Sequence, residues 1–282
     1  MPNTMKGQPL FVLIACEESQ AECKAFRSLG HIAFSCDLQK CRPSGEPSWH
    51  ICSDVSPLLQ GQTHFRTQNG QEIEVPEWDI IIAHPPCTYL CKVGSMHLYK
   101  NPDYEIFVNG QAVQVNFYRY KQMLLARDFF FRCLNASAKY VAVENPCPMA
   151  LAQLPKADSF ACPSWFGYKY TKKTYYWLKN LPPLFAEYLN PTTKSLAHCT
   201  RGKYRSRTPQ VFANAIALQW SEYVCLDKQQ NSLNYGKNET NFCTVGNGQP
   251  KGDRHDLPNA AISKPLESDK LPTFGNAELL LR

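Results

Sequence analysis

Residues 11–15, Phe-Val-Leu-Ile-Ala, carry no polar side chain, and the run stops at Cys16-Glu17-Glu18. A strand that is apolar on both faces is buried on both, as in a parallel sheet covered by helices on each side. The rest of the first half fits that frame. Residues 21–29 have a helix-like composition closed by Gly30, and residues 31–36 read as a second strand ending at Asp37. A short third strand is expected near residues 52–55, with Asp54 at its carboxyl end, and residues 78–83 form a clear fourth that runs into His84-Pro-Pro-Cys-Thr88. After a polar stretch over 94–114, residues 116–135 give the longest helical pattern, with Phe117, Tyr120, Leu124, Phe131 and Leu134 at helix-compatible spacings. Residues 140–143 make a fifth strand delivering Glu144-Asn-Pro146, residues 174–178 a further strand, and residues 209–224 a last helix. Strands alternating with helices predict an α/β fold with a doubly wound, mostly parallel sheet and its site at the strands' carboxyl ends.

The 282 residues suit one catalytic-sized α/β domain, taken as 1–225, followed by a segment over 226–282. That segment is rich in Asn, Gln, Gly, Pro and Lys and is expected to be largely disordered. Lys and Arg number 30 against 24 acids, a net charge of +6, and residues 224–282 balance at seven of each. The excess positive charge therefore lies in the first four fifths, which suits a polyanionic partner. No apolar stretch reaches the roughly 20 residues a spanning helix needs, nor does residue 11–15 suit a secretory signal, so a membrane partner is not expected. The 13 cysteines are irregularly spaced with no CxxC pair, which reads as reduced thiols in a cytoplasmic protein. Zinc would have to use Cys147 and Cys162, or Cys36 and Cys41, and no metal is expected from so unpaired a set.

Polar residues fall where a doubly wound sheet places ligand contacts: Glu17, Asp37, Asp54 and the loop opening at His84. An acid ending the second strand is the usual partner of a ribose hydroxyl pair. Singly, Asp37 and Asp54 read as caps of turns or helices; at successive strand ends they favour an adenosyl or dinucleotide pocket. The sharper feature is Cys87. Two prolines stiffen its loop, so a thiol at the end of a buried strand can be held as a nucleophile. Glu144 occupies the matching place after the next strand, where a carboxyl in a cleft can stay protonated near neutral pH and donate a proton.

These residues resemble a known family, the cytosine-C5 DNA methyltransferases, and more closely its small divergent phage and prophage members. The resemblance covers residues 11–224. It rests on Pro85-Pro86-Cys87-Thr88, similar to the family's Pro-Cys-Gln nucleophile loop, and on Val143-Glu144-Asn145, similar to its Glu-Asn-Val motif. Phe166-Gly167 through Lys172 to Trp177 is similar to the stretch carrying a Gln-Arg-Arg cluster, and Phe212-Ala-Asn214-Ala215 to the closing Gly-Asn-Ala motif. The chain departs from the pattern in four places. The glycine-rich first loop is here Ala15-Cys-Glu17-Glu18-Ser19-Gln20, the glutamine after the nucleophile is Thr88, and the arginine cluster is reduced to Lys172 and Lys173. The interval 181–208 is far shorter than the family's usual target-recognition domain, so it can read little sequence.

The resemblance implies a Rossmann-like fold that binds S-adenosylmethionine and acts on a flipped-out cytosine of DNA. It implies Cys87 as the nucleophile at C6, Glu144 as proton donor toward N3 and Asn145 as the residue orienting the loop, with His84 either tuning the thiol or shaping the loop. It places Ala15, Glu17, Ser19, Asp37, Asp54, Pro85 and Asn214 around the cofactor. Basic residues from 169 to 207, among them Lys172, Lys173, Arg201, Lys203, Arg205 and Arg207, suit phosphate contacts, and the aromatics among the first of them suit stacking or core packing. Two other readings stay open. One is an exocyclic-amino methyltransferase, whose loop ends in an aromatic where this chain has Cys87. The other is a nucleic-acid-binding protein with a decayed cofactor loop.

Overall fold

In a computed structural model of the chain, residues 8–188 and 207–242 are described, together with the short strand Lys194–Ser195. The chain divides into two units, Met1–Lys237 and Asn238–Arg282, and the architecture below is that of the first. Its elements in order are β1 (Phe11–Ala15), α1 (Ala21–Ser28), β2 (Ile32–Asp37), β3 (His50–Cys52), α2 (Ser56–Leu59), β4 (His64–Arg66), β5 (Glu72–Glu74) and β6 (Ile80–Ala83). There follow β7 (Tyr104–Val108), β8 (Gln111–Val115), α3 (Phe117–Leu134), β9 (Tyr140–Asn145), β10 (Ser159–Ala161), β11 (Tyr170–Thr171), β12 (Thr174–Lys179), β13 (Lys194–Ser195) and α4 (Gln210–Phe242).

Seven strands form the central sheet in the order β10-β12-β9-β6-β1-β2-β3. From β3 to β9 the pairs are parallel; β12 is antiparallel to both β9 and β10. The chain moves from β1 outward to β2 and β3, then returns to the other side of β1 with β6. The order therefore reverses between β1 and β6, which opens a crevice at their carboxyl ends.

The apolar runs produce this sheet because successive side chains point to opposite faces and both faces are covered. Leu13, Phe34, Ile81, Val141 and Val143 pack with Met123, Phe130 and Cys133 of α3. Val12, Ile14, Ile80, Ile82 and Ala142 pack with Cys23 and Phe26 of α1 and with Phe212, Ile216 and Trp220 of α4. Each such fully buried side chain contributes about 1.5–3 kcal/mol. The mixed α/β layering and mostly parallel sheet expected from the sequence are thus present.

Several boundaries differ. The third strand lies at His50–Cys52, so Asp54 stands two residues past it and caps α2 through the Ser56 amide at 2.9 Å. Glu144 and Asn145 belong to β9 itself, paired with Tyr176 and Tyr175 of β12. The polar stretch contains the hairpin β7–β8, in which Tyr104 and Phe107 stay exposed although they point to opposite faces, and this obscures its period in the sequence. The last helix continues through residue 225, where the disordered segment was expected to begin, and reaches Phe242. Asp227 accepts from Lys139 and Tyr140, and Lys228 pairs with Asp79, so this extra length is tied to the sheet. Residues 243–282 and most of the 181–208 insert lie outside the described residues.

Candidate active site

Adjacent parallel strands put their following loops side by side. Ala15 of β1 pairs with Ala83 of β6, and Ala83 with Val143 of β9. The first loop, the Cys87 loop and the Glu144 strand end therefore emerge together. The join is continued past the strands, since the His84 amide donates to the Ala15 carbonyl at 2.9 Å and the Glu17 amide to the Cys36 carbonyl at 3.1 Å.

His84 lies between two carboxylates. Its Nε2 is 3.1 Å from Glu22 and its Nδ1 3.4 Å from Glu144, and the side chain is only 15% exposed. Burial alone would push the imidazole toward neutrality, but the charges of Glu22 and Glu144 and their hydrogen bonds outweigh it, so His84 is held protonated well above its usual range. Burial likewise opposes the charge on Glu144. The hydrogen bond from His84, the charge of Lys172 and the Thr174 hydroxyl that donates to Oε1 prevail, and bring the carboxyl down to about 2. This corrects the expectation of a protonated Glu144: the proton in the cleft resides on His84, and Glu144 is ionised. Glu22 is fully buried, with Oε1 lacking a partner.

Cys87 is half-buried behind buried Pro85. The chain turns tightly after it, with the amides of Leu90 and Cys91 both donating to the Cys87 carbonyl at 3.0 Å. The turn sets the thiols of Cys87 and Cys91 close enough to influence each other's ionisation. Cys91 caps a 3-10 helix over Lys92–His97. The hydrogen bond from Cys87, with the amides of Gly94 and Val93, outweighs burial and lowers Cys91 to about 6. Cys87 is pushed up by donating to Cys91, by burial and by the charge of Glu144, while Lys172 pulls it back. Of the two thiols Cys91 is thus the one lowered and Cys87 the one raised, so Cys87 needs an acceptor for its proton before it can act as a nucleophile. Gly94 is required here, because a Cβ would lie 2.5 Å from the Thr88 carbonyl oxygen. Arg119, stacked 4.4 Å over Tyr89, donates to the Thr88 and Gly94 carbonyls and pins both arms of the turn.

The residues expected around a cofactor divide into two groups. Ala15 and Pro85 sit buried at the crevice floor. Glu17, however, turns inward: its carboxylate accepts from the amides of Glu22 at 2.9 Å and Cys23 at 3.3 Å, and from Ser19 at 3.2 Å. Burial and the charge of Glu22 raise Glu17 to about 7. Glu17 and Ser19 thus cap α1. The glycine-free loop reaches its shape with Cys16 and Gln20 in the left-handed region, at φ 62° and 58°. Such residues persist where surrounding bonds over-determine them, and the Gln20 side chain binds the Glu46 amide at 2.6 Å and carbonyl at 3.0 Å. Asp37 is half-buried and accepts from the Gln39 amide at 2.8 Å; burial raises its carboxyl. Asp54 is exposed, and Asn214, exposed on the first turn of α4, accepts from Gln210 at 2.9 Å. Asn145 is fully buried, with Nδ2 on the Pro146 carbonyl at 2.8 Å and Oδ1 without a partner.

Of the basic residues, Lys172 faces Glu144 and Cys87 electrostatically, whereas Lys173 lies 3.9 Å over the Phe160 ring. Arg207 is exposed, and Arg201, Lys203 and Arg205 lie outside the described residues. Tyr176 and Trp177 are core. Sequence reading missed Glu22, Cys91, Arg119 and Thr174. Only the four-residue spacing of Cys87 and Cys91 signalled any of them. Among the described residues no group of three or more His, Cys, Asp or Glu could hold a metal, and no helix is long and apolar enough to cross a membrane.

No family model matches the chain. No curated protein matches it. Among solved structures the chain is similar, at 13% identity and a TM-score of 0.36, to one designated a DNA modification methyltransferase encoded within a prophage (E. coli). The alignment covers 65% of this chain and 53% of that one, so this chain spans about half the length of that structure.

Proposed function

We propose that the chain is a DNA (cytosine-5-)-methyltransferase, which moves a methyl group from S-adenosylmethionine to C5 of a flipped-out cytosine through a covalent Cys87 adduct. The observation that carries this reading is the pairing of Ala83 with Val143, which sets a proline-stiffened thiol loop beside a buried, hydrogen-bonded carboxylate. C5 of cytosine is a poor nucleophile, and a thiolate added at C6 turns it into an enamine. The Cys87 proton has an acceptor in Cys91, so the sulfur that attacks is generated within the pair. As C6 is attacked, negative charge grows toward N3. Glu144 accepts that site's proton traffic: the His84 proton passes to Glu144 and on to N3, with Lys172 steadying the charge that remains. After transfer, solvent water takes the C5 proton, Cys87 leaves C6 as thiolate, and the N3 proton returns through Glu144 to His84, which restores the neutral ring and releases one proton.

The donor set fits an adenosine. Asp37 ends β2 and Asp54 follows β3, and because these neighbouring strands are parallel both acids stand at the same edge of the sheet. Glu17 is spent on α1 and drops out of that set. S-adenosylmethionine, when bound, supplies the electrophilic methyl. Asp37 would then hold the ribose and Asp54 the adenine amine.

The inward-turned first loop favours a second reading, a nucleic-acid-binding protein without turnover. DNA containing 5-fluorocytosine separates the two, because the C5 fluorine cannot leave as a proton. With S-adenosylmethionine present, the wild-type protein is expected to be trapped as a denaturant-resistant complex and Cys87→Ser is not. Absence of any trapped complex despite binding of the methyl donor favours the second reading. Methyl appearing on N4, or persisting in Cys87→Ser, removes the C5 mechanism.

A further inference from the structure

On the α1 side of the crevice a cavity of about 510 Å³ is lined by Ser19, Ala21, Lys24, Arg42, Ser44, Tyr168, Lys169, Tyr170, Arg207, Thr208, Pro209 and Gln210. Four of these are cations and none is a carboxylate. The rest of the polar lining is hydroxyl or amide. The cations come from four stretches of chain that the fold gathers at the starts of α1 and α4. Two are held in place: Lys24 donates to the Ser44 carbonyl at 2.6 Å, and Arg42 pairs with Glu18, which stands outside the lining. Lys169 lies 5.1 Å over the Tyr170 ring. With Glu18 set against Arg42 and Arg207 left out of the count, Lys24 and Lys169 still give the cavity a surplus of positive charge.

The wall is built rather than incidental. Buried Gln20 clamps the 41–46 turn against α1 through both backbone groups of Glu46. Gly45 makes that closeness feasible, since a Cβ would lie 2.6 Å from the Gln20 side-chain oxygen and 2.9 Å from the Arg42 carbonyl oxygen. The α1 amides do not serve the cavity, because Glu17 and Ser19 take those of Ala21, Glu22 and Cys23. Any anion there must be held by side-chain charge. A methyl sulfonium, itself cationic, is the wrong occupant, and only Ser19 is common to this lining and the residues assigned to the cofactor.

We propose that this cavity is a nucleic-acid phosphate site, taking backbone phosphates of the strand on which the Cys87 loop acts. The proposal rests on the reading of DNA as substrate and adds where the strand is gripped. A single phosphate is far smaller than the cavity, so the volume suits a nucleotide step, its phosphate on Lys24, Lys169 and Arg207 and its sugar or base against Tyr168 and Tyr170. Such contacts release counterions and make affinity fall with salt, by a slope of about 0.9 per phosphate neutralised.

The test measures binding of a fluorescein-labelled cytosine-containing 16-mer, single-stranded and duplex, to the full chain by anisotropy at several salt concentrations, with no methyl donor. Lys24→Gln with Lys169→Gln is expected to weaken binding roughly tenfold and to flatten the log K against log salt slope by about two. Lys24→Arg with Lys169→Arg is expected to restore both. An unchanged slope in the glutamine variant overturns the cavity's role while DNA binding elsewhere leaves the methyltransferase reading standing. Wild-type protein that binds neither oligonucleotide removes DNA as the substrate and the phosphate site with it. Tripolyphosphate binding that the glutamine variant loses, in a protein that ignores oligonucleotides, makes this a free-phosphate site and overturns the proposal.

Discussion

Across the carboxyl ends of β6 and β9, Glu22, His84, Glu144 and Thr174 form a run of hydrogen bonds with a buried imidazolium in its middle. At the ends of β2 and β3, Asp37 and Asp54 each accept from an amide two residues on, and their carboxylates face the crevice or solvent. Both regions place acids at strand ends, yet they obey different energetics. Buried charges that answer one another are strongly coupled: removing one leaves the others desolvated and unpaired. A turn-capping carboxylate is nearly independent of the core, so it can be spent on a ligand at little expense to the fold. The first region is built for chemistry with charge already in place, the second for binding.

The largest effect that sharpens this contrast is on turnover. Cys87→Ser is expected to abolish methyl transfer, on the order of 10³-fold or more, while leaving the thermal midpoint nearly unchanged, because the side chain is half-buried and similar in size. A coincident collapse of stability would mean that the thiol pair is structural, and would break the division drawn above.

Next comes that run itself. His84→Ala leaves Glu22 and Glu144 without the cation between them, and is expected to destabilise by about 3–5 kcal/mol, a fall of roughly 10 °C in Tm for a unit of this size. The sign with pH follows from the two shifts. Glu144 is depressed to about 2, so its contribution is present above the usual carboxylate value and lost as pH falls through 2. His84 is raised, so its contribution is present below its ordinary value of 6.5 and lost as pH rises through its folded value. The difference between wild type and variant, followed by thermal melts, should therefore be widest between about pH 4.5 and 6.5. A flat difference across pH would show that His84 acts by packing alone.

The strands were legible in the sequence because they are uninterrupted apolar runs, and so was the placement of Cys87 and Glu144 after adjacent ones. What stayed hidden has a common cause. Glu22 sits mid-pattern in α1, Thr174 begins a strand and Arg119 lies in the first turn of α3; nothing local marks residues whose partners are 25 to 62 positions away. Protonation was hidden for the same reason, since the state of Glu144 depends on His84, Lys172 and Thr174, which meet only once the sheet is formed. The first loop misled differently. It lacks the glycines that let a backbone approach a ligand closely, yet Cys16 and Gln20 adopt the left-handed conformation and Gln20 is held there by its own side chain.

Glu17 gives a smaller effect of opposite sign. Burial and the charge of Glu22 raise it to about 7, so the stability tied to its neutral form is fully present below pH 4.5 and lost as pH rises through 7. Glu17→Gln keeps an oxygen acceptor for the Glu22 amide, gives up the weaker bond from the Cys23 amide and removes the like charge. It is expected to stabilise the protein at pH 8 by about 1–3 kcal/mol, with the gain vanishing by pH 4.5. A loss of stability at pH 8 would show that the carboxylate's cap on α1 outweighs its repulsion from Glu22.

The smallest effect on the fold is expected at the open end. Asp37→Ala removes one turn hydrogen bond at a half-buried site and should lower stability by no more than about 1 kcal/mol. Its effect on ligand affinity should be larger than its effect on folding, which inverts the pattern at His84. Titration with S-adenosylmethionine by calorimetry should show affinity weakened by about 1–3 kcal/mol, the range for a ligand hydroxyl left without its acceptor. The ratio is what matters. A residue that braces a turn loses stability and affinity together, through misplacement of the loop, whereas a residue that holds a ribose loses affinity while the melting transition barely moves. Burial already raises the Asp37 carboxyl, so a bound hydroxyl pair that donates to it would pull its pKa back down. Affinity should then fall below about pH 4 in the wild type and show no such fall in Asp37→Ala. Equal affinities for the two proteins at neutral pH would take Asp37 out of the site and leave the carboxyl end of β2 with a turn and nothing more.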